Sequence, residues 1–183
     1  MSFSVSADRG AKTSSYDWIS SFFPSRQTDS LENSLNESRL SKLKKEFTDR
    51  FLRAVHNSPT EIGILGPIDE LIAEGIRTNA AVTMQWLGEM YLENFAKPAV
   101  ATELLLAVGR LSYSVAKPAG VTMAISALSH KCVEVQEAGV RAFEEWGSPE
   151  SIEILENTKV SAPWLQNYIL EVVKGIQREA CLS

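Results

Sequence analysis

The chain has 183 residues, 44% of them hydrophobic, with a formal net charge of −5 and a pI near 5.2. That length supports one domain with a real core and a tail, and the acidic balance argues against a duplex-binding protein, which shows a basic stripe and a high pI. No apolar run reaches the length of a membrane helix, the N-terminus lacks the apolar core of a secretory signal, and Cys132 and Cys181 are expected as thiols of a reduced, cytoplasmic protein.

Residues 1–37 differ from the rest. Twelve serines fall within the first 41 residues, and few apolar side chains there offset the entropy of ordering. A largely disordered tail over 1–37 is therefore expected, ahead of a single helical domain over 38–183. One island interrupts it: Tyr16, Trp18, Ile19, Phe22 and Phe23 place five large apolar side chains within eight residues. Two readings fit. The cluster folds back as a cap on the domain, as an adhesive patch tends to do, or it docks on a partner through aromatic anchors.

Residues 38–56 read as the first long helix, with Leu40, Leu43, Phe47, Phe51 and Ala54 forming an apolar stripe at helical spacing. Arg39, Lys42, Lys44, Lys45, Arg50 and Arg53 crowd its other faces against only Glu46 and Asp49, a local balance of +4, while residues 61–183 carry −7. The bland reading of this segregation is a solvated face paired with neighbouring acidic helices. The sharper one is a contact for an anionic partner, whether nucleic acid, lipid headgroup or acidic protein.

His56 to Thr60 breaks that helix, and Pro67 sits well as a first-turn proline of the next, with Asp69 and Glu70 at its positive end. Asn79 is a candidate N-cap for a further helix whose stripe is Val82, Thr83, Trp86, Leu87 and Met90. Lys97-Pro98 and Lys117-Pro118 mark two more breaks. Between them run Val100, Leu104, Ala107, Val108 and Leu111, with Glu103 standing on a core offset. Val121, Ala124, Ile125 and Leu128 form the next helix. Then comes the clearest pattern in the chain. Positions 135, 138, 139, 142, 143 and 146 trace one helical face, and Leu165, Tyr168, Ile169, Val172, Val173 and Ile176 repeat the same offsets 30 residues later. Ser148-Pro149-Glu150 opens a short helix between them. Eight helices and no strand are predicted, an all-α fold with short connections.

The stretch from Val135 to Ile176 resembles HEAT repeats, in particular the short bacterial repeats also seen in phycobilisome lyase proteins. The residues that carry the resemblance are Val135, Ala138, Gly139, Arg141, Ala142, Phe143, Gly147, Pro149, Glu150, Ile152 and Leu155, then Leu165, Val172, Val173 and Ile176. Gln136 and Gln166 stand where the family often has arginine, and Glu144 where it often has glycine. The resemblance implies an α-α superhelix in which stacked pairs share a core. The irregular intervals upstream leave a compact helical bundle equally open. It also implies binding of proteins, less often of nucleic acid or a tetrapyrrole.

Chemistry is thin. His130 and Cys132 are two residues apart with no second cluster to complete a metal site, and no phosphate-binding, nucleophile-elbow or zinc-protease motif occurs. Glu134, Glu137, Glu144 and Glu145 fall on solvated helix faces, and Trp86 and Trp146 on the core stripe. Trp164, opening the last helix, is either a surface anchor or a staple for the helix end. The sequence thus predicts a non-catalytic adaptor or regulator, without cofactor or metal, that binds another protein. The candidate contacts are Tyr16, Trp18, Phe22, Phe23, Lys42, Lys44, Lys45, Arg50, Arg53 and Trp164. The alternative is binding of nucleic acid or an anionic surface through 38–56, disfavoured by the acidic body. A tetrapyrrole lyase or chaperone role rests on the family resemblance alone.

Overall fold

A computed structural model describes the backbone of residues 29–57 and 65–182. Its described residues form eight helices and no strand: α1 (Asp29–Asn57), α2 (Pro67–Glu93), α3 (Pro98–Gly109), α4 (Tyr113–Ala116), α5 (Ala119–Leu128), α6 (Val133–Trp146), α7 (Ser151–Glu156) and α8 (Pro163–Leu182). The fold is all-α, as the periodicity predicts. The chain divides into two compact units, Met1–Ser41 and Lys42–Ser183. In the first, the described part is the opening of α1, and the side chains of residues 32–41 are exposed, Leu35 and Leu40 among them.

Two expectations about α1 change here. The helix is already formed at Asp29, so residues 29–37 are helical and 38 is not an element boundary. Its serines and asparagines lower helix propensity by only a few tenths of a kcal/mol each, too little to stop a helix that continues into a packed segment. The apolar stripe also begins to pack later than expected. Leu40 and Leu43 are exposed, and burial starts at Phe47 and Phe51.

All of the buried apolar side chains among the described residues lie in the second unit. α2 starts as its sequence dictates: Pro67 needs no N–H partner in the first turn, and the Gly66 N–H donates to the Asp69 carboxylate at 2.8 Å. Asp69 is held in turn by Arg110 at 2.7 Å, tying the start of α2 to the end of α3. Asn79 breaks the element internally, with φ −161° and ψ 99°. Its side-chain oxygen accepts the Val82 N–H at 3.1 Å, the bond an N-cap makes to the third helical residue. The expected helix start at Asn79 is therefore present, as a joint inside a longer element. The helix count of eight is matched with a different membership: the segments around 67–78 and 80–93 join, and α4 is an addition that the periodicity did not announce.

The C-terminal helices pack through small residues. A Cβ added at Gly109 of α3 would lie 3.0 Å from the Ala142 Cα of α6. One added at Gly139 of α6 would lie 2.8 Å from the Ala127 Cβ and 3.0 Å from the Ala124 carbonyl oxygen of α5. Backbones approach this closely only where side chains are absent or methyl-sized. The repeated offsets are packing positions in both copies: Val135, Ala138, Gly139, Ala142 and Phe143 are buried, as are Leu165, Ile169, Val172, Val173 and Ile176. Trp146 and Tyr168 at the same offsets are half-buried. α6 ends at Gly147, the one described residue with positive φ (56°), where glycine meets no Cβ penalty. The Tyr168 hydroxyl donates to Glu144, linking α8 to α6, and burial followed by that bond pushes its pKa well above the usual tyrosine range.

Candidate functional site

Among the described residues, an open seam leaves apolar side chains accessible beside Arg53 and Arg77, which have no ion pair there. It lies between the second half of α1 and both halves of α2. On α1, Leu43, Phe47 and Arg50 recur at spacings of four and three and so share a face. On α2, Leu71, Gly75 and Thr78 precede the joint and Val82 and Trp86 follow it. These residues line a cleft of about 290 Å³, with Glu46 and Glu74 on its rim. Phe47 and Leu71 form the floor, being nearly buried, while Leu43 is 54% exposed. The Phe47 and Trp86 rings are tilted against each other with centroids 5.8 Å apart. The cleft exists because α2 bends at Asn79, and because Gly75 carries no side chain: a Cβ there would stand 2.9 Å from Thr83 and 3.4 Å from the Phe47 ring.

A second, more polar concavity continues from the first, the two sharing Arg50, Leu71 and Glu74. It adds Arg53, Ala54, Pro67, Glu70, Ala73 and Arg77 and has a volume of about 590 Å³. Arg50 pairs with Glu74 at 3.3 Å, and the Arg77 Nε donates to the Ala73 carbonyl at 3.2 Å. Arg53 is exposed and has no ion pair among the described residues.

The basic residues predicted as contacts thus split into two groups. Lys44 bridges Glu89 at 2.6 Å and Glu93 at 3.7 Å. The hydrogen bond to Glu89 raises the Lys44 pKa, and the same bond lowers that of Glu89. Lys44 and Arg50 therefore tie α1 to α2, as the bland reading of the charge segregation requires. Lys42, Lys45 and Arg53 are exposed and unpaired among the described residues. Trp164 is 50% exposed in the first turn of α8 and does not line the groove. Tyr16, Trp18, Phe22 and Phe23 lie outside the described residues.

Sequence reasoning placed Trp86 in the core, whereas it is a half-buried wall of the groove. The signal that could have found it was the pair Gly75 and Asn79: a helix break one turn after a glycine leaves the side chains around it without a cover.

The other candidate chemistry resolves into structure. The Cys132 N–H donates to His130 Nδ1 at 2.9 Å, and His130 Nε2 lies 3.0 Å from the Phe95 carbonyl oxygen. A carbonyl only accepts and a backbone N–H only donates, so Nε2 is the donor and Nδ1 the acceptor. The Cys132 thiol donates to Glu134 at 2.6 Å. No group of three metal-ligating side chains occurs among the described residues, and no described helix is long and apolar enough to cross a membrane. Comparison of the chain with protein-family models, curated proteins and solved structures finds no match.

Proposed function

We propose that this chain is a cytoplasmic, non-catalytic adaptor or regulator that binds another protein through a HEAT-like helical surface, with the α1–α2 groove as its principal contact. The observation that carries this reading is the groove itself. It combines accessible apolar walls, a floor of buried Phe47 and Leu71, and a polar rim, the arrangement in which interface anchors are seated. Its apolar chamber of about 290 Å³ has room for one large side chain. Support for the HEAT-like character comes from the two copies of one buried stripe 30 residues apart on α6 and α8.

The test is affinity capture of the full chain from its native cell beside a Val82→Glu variant that retains the wild-type circular dichroism. Partners held through the groove disappear from the variant capture; an unchanged set of partners rejects the groove as the contact.

A second reading has a specific observation behind it. Lys42, Lys45 and Arg53 are three exposed cations along α1 with no ion pair among the described residues, available to an anionic surface or a nucleic acid. Binding of this kind weakens steeply with salt and is lost on charge reversal at Lys42 and Lys45. Retention at high salt rejects it.

A further inference from the structure

The two compartments of the groove differ in chemistry. The chamber against Phe47 and Trp86 is apolar; the concavity continuing toward Pro67 carries three guanidinium groups against two carboxylates. Within that concavity, once Arg50 and Glu74 are set against each other, Arg53 and Arg77 stand against Glu70, one net positive charge at this end of the groove, with Glu46 lining the apolar chamber at the other. We propose that this groove takes a short acidic peptide segment of a partner protein with one large apolar anchor, the anchor seated on Phe47, Val82 and Trp86 and its carboxylates on Arg53 and Arg77. The inference rests on the protein-binding reading above and gives that partner a chemistry.

Charge complementarity selects the occupant. Lys42, exposed eleven residues before Arg53 and so on the same face of α1, extends the positive field on that flank and steers an acidic segment toward it. A polynucleotide fits less well. Its phosphates form a continuous polyanion that would have to pass Glu46, Glu70 and Glu74, whereas a peptide places its carboxylates only where arginines stand. Spacing gives the motif. Phe47 and Arg53 are six residues apart on α1, which at ~1.5 Å per residue is about 9 Å, and an extended peptide covers that in about three residues. The segment therefore carries Trp, Phe or Leu with Asp or Glu two to four positions away.

The experiment pans a phage-displayed library of random twelve-residue peptides against the full chain. Enriched sequences are remade with fluorescein and titrated by anisotropy. The expected result is a consensus of one large apolar residue with an acid two to four positions away. Its affinity falls at least about tenfold in Val82→Glu and about tenfold, with a flatter salt dependence, in Arg53→Glu. Lys174→Glu on α8, outside the groove, leaves it unchanged. Arg53 is exposed, so its variant keeps the test intact should Val82→Glu fail to fold. A consensus without acids, peptides indifferent to both groove substitutions, or no enrichment overturns the inference. In the second case the protein-binding reading survives with its contact elsewhere. Labelled oligothymidine binding more tightly than any peptide, and lost in Arg53→Glu, overturns both. Peptide affinity that rises when Trp18 and Phe22 are replaced by Ser marks the chain's own N-terminal segment as the occupant. Sedimentation as a dimer that Val82→Glu abolishes marks a second copy. Either result overturns the assignment to a partner protein.

Discussion

Glycines in this chain do opposite things according to what a Cβ would meet. Gly139 faces the Ala127 methyl at 2.8 Å and the Ala124 carbonyl at 3.0 Å, and neither can yield without moving α5. Gly139→Ala is expected to cost about 1–3 kcal/mol, the usual penalty for overpacking. Gly88, inside α2, has nothing within 4 Å of the same position, so Gly88→Ala is expected to stabilise by about 0.5–1 kcal/mol through helix propensity and a less entropic unfolded chain. Urea denaturation of the two variants checks the opposite signs, and a common sign would contradict the packing described. His130 is a structural residue by the same standard: both ring nitrogens are occupied by backbone partners. The sequence sets its pairing with Cys132 aside as a metal site for want of further ligands; that both ring nitrogens are already bonded to backbone is what spacing cannot reveal.

At the scale of elements, the joint in α2 and its ties to α1 decide what the groove looks like. The Asn79 side chain supplies the acceptor that the Val82 N–H needs, and Asn79→Ala is expected to cost about 1 kcal/mol in urea denaturation, as caps do, while Asn79→Asp retains most of the stability. The Lys44–Glu89 bridge works in a pH window. The Glu89 pKa is lowered by the bond to Lys44, so its contribution is present above the ordinary carboxylate range and is lost as pH falls through the lowered value. The raised Lys44 pKa likewise keeps its share until pH rises through that value. The pair is exposed enough for the effect to be about 0.2–1 kcal/mol. Stability curves of the wild type and Lys44→Met should differ by that amount near neutrality and converge on acidification; parallel curves down to low pH would remove the bridge from the account. The elements themselves were mostly legible, because amphipathic stripes, first-turn prolines and a capping asparagine are local signals. The joint was legible as a helix start. That it belongs inside a continuous element was not, since α1 packs against both halves through Phe47, a contact between residues far apart in the chain. Leu40 and Leu43 show the limit of periodicity from the other side: a stripe marks a face that could be buried, and only a partner element buries it.

For the whole molecule, the question is whether the C-terminal regularity makes a modular array. Buried residues from Phe47 to Ile176 belong to one contiguous hydrophobic cluster, and the second unit is within the size at which single cooperative transitions are the rule. Equilibrium unfolding is therefore expected to be a single transition, with helix loss by circular dichroism and tryptophan exposure by fluorescence superimposing. A chain of independent repeats would fray from its ends and separate the two probes. The all-α class could be read from the sequence. Beyond the break that Gly75 and Asn79 announce, the location of the groove could not, because it arises where two faces fail to cover each other, and composition records which side chains are apolar but not which are left over.

The bend at Asn79 has one more consequence. The groove draws walls from both sides of the joint, Leu71 and Gly75 before it and Val82 and Trp86 after it, so an occupant touches two half-helices whose mutual angle is set by a single extended residue. Seating a side chain there splints the joint. The backbone amides around it would exchange with deuterated solvent more slowly in the bound protein, and the far end of α2, where Asn94 caps the helix onto the Met90 carbonyl, would register the event about twenty ångströms away.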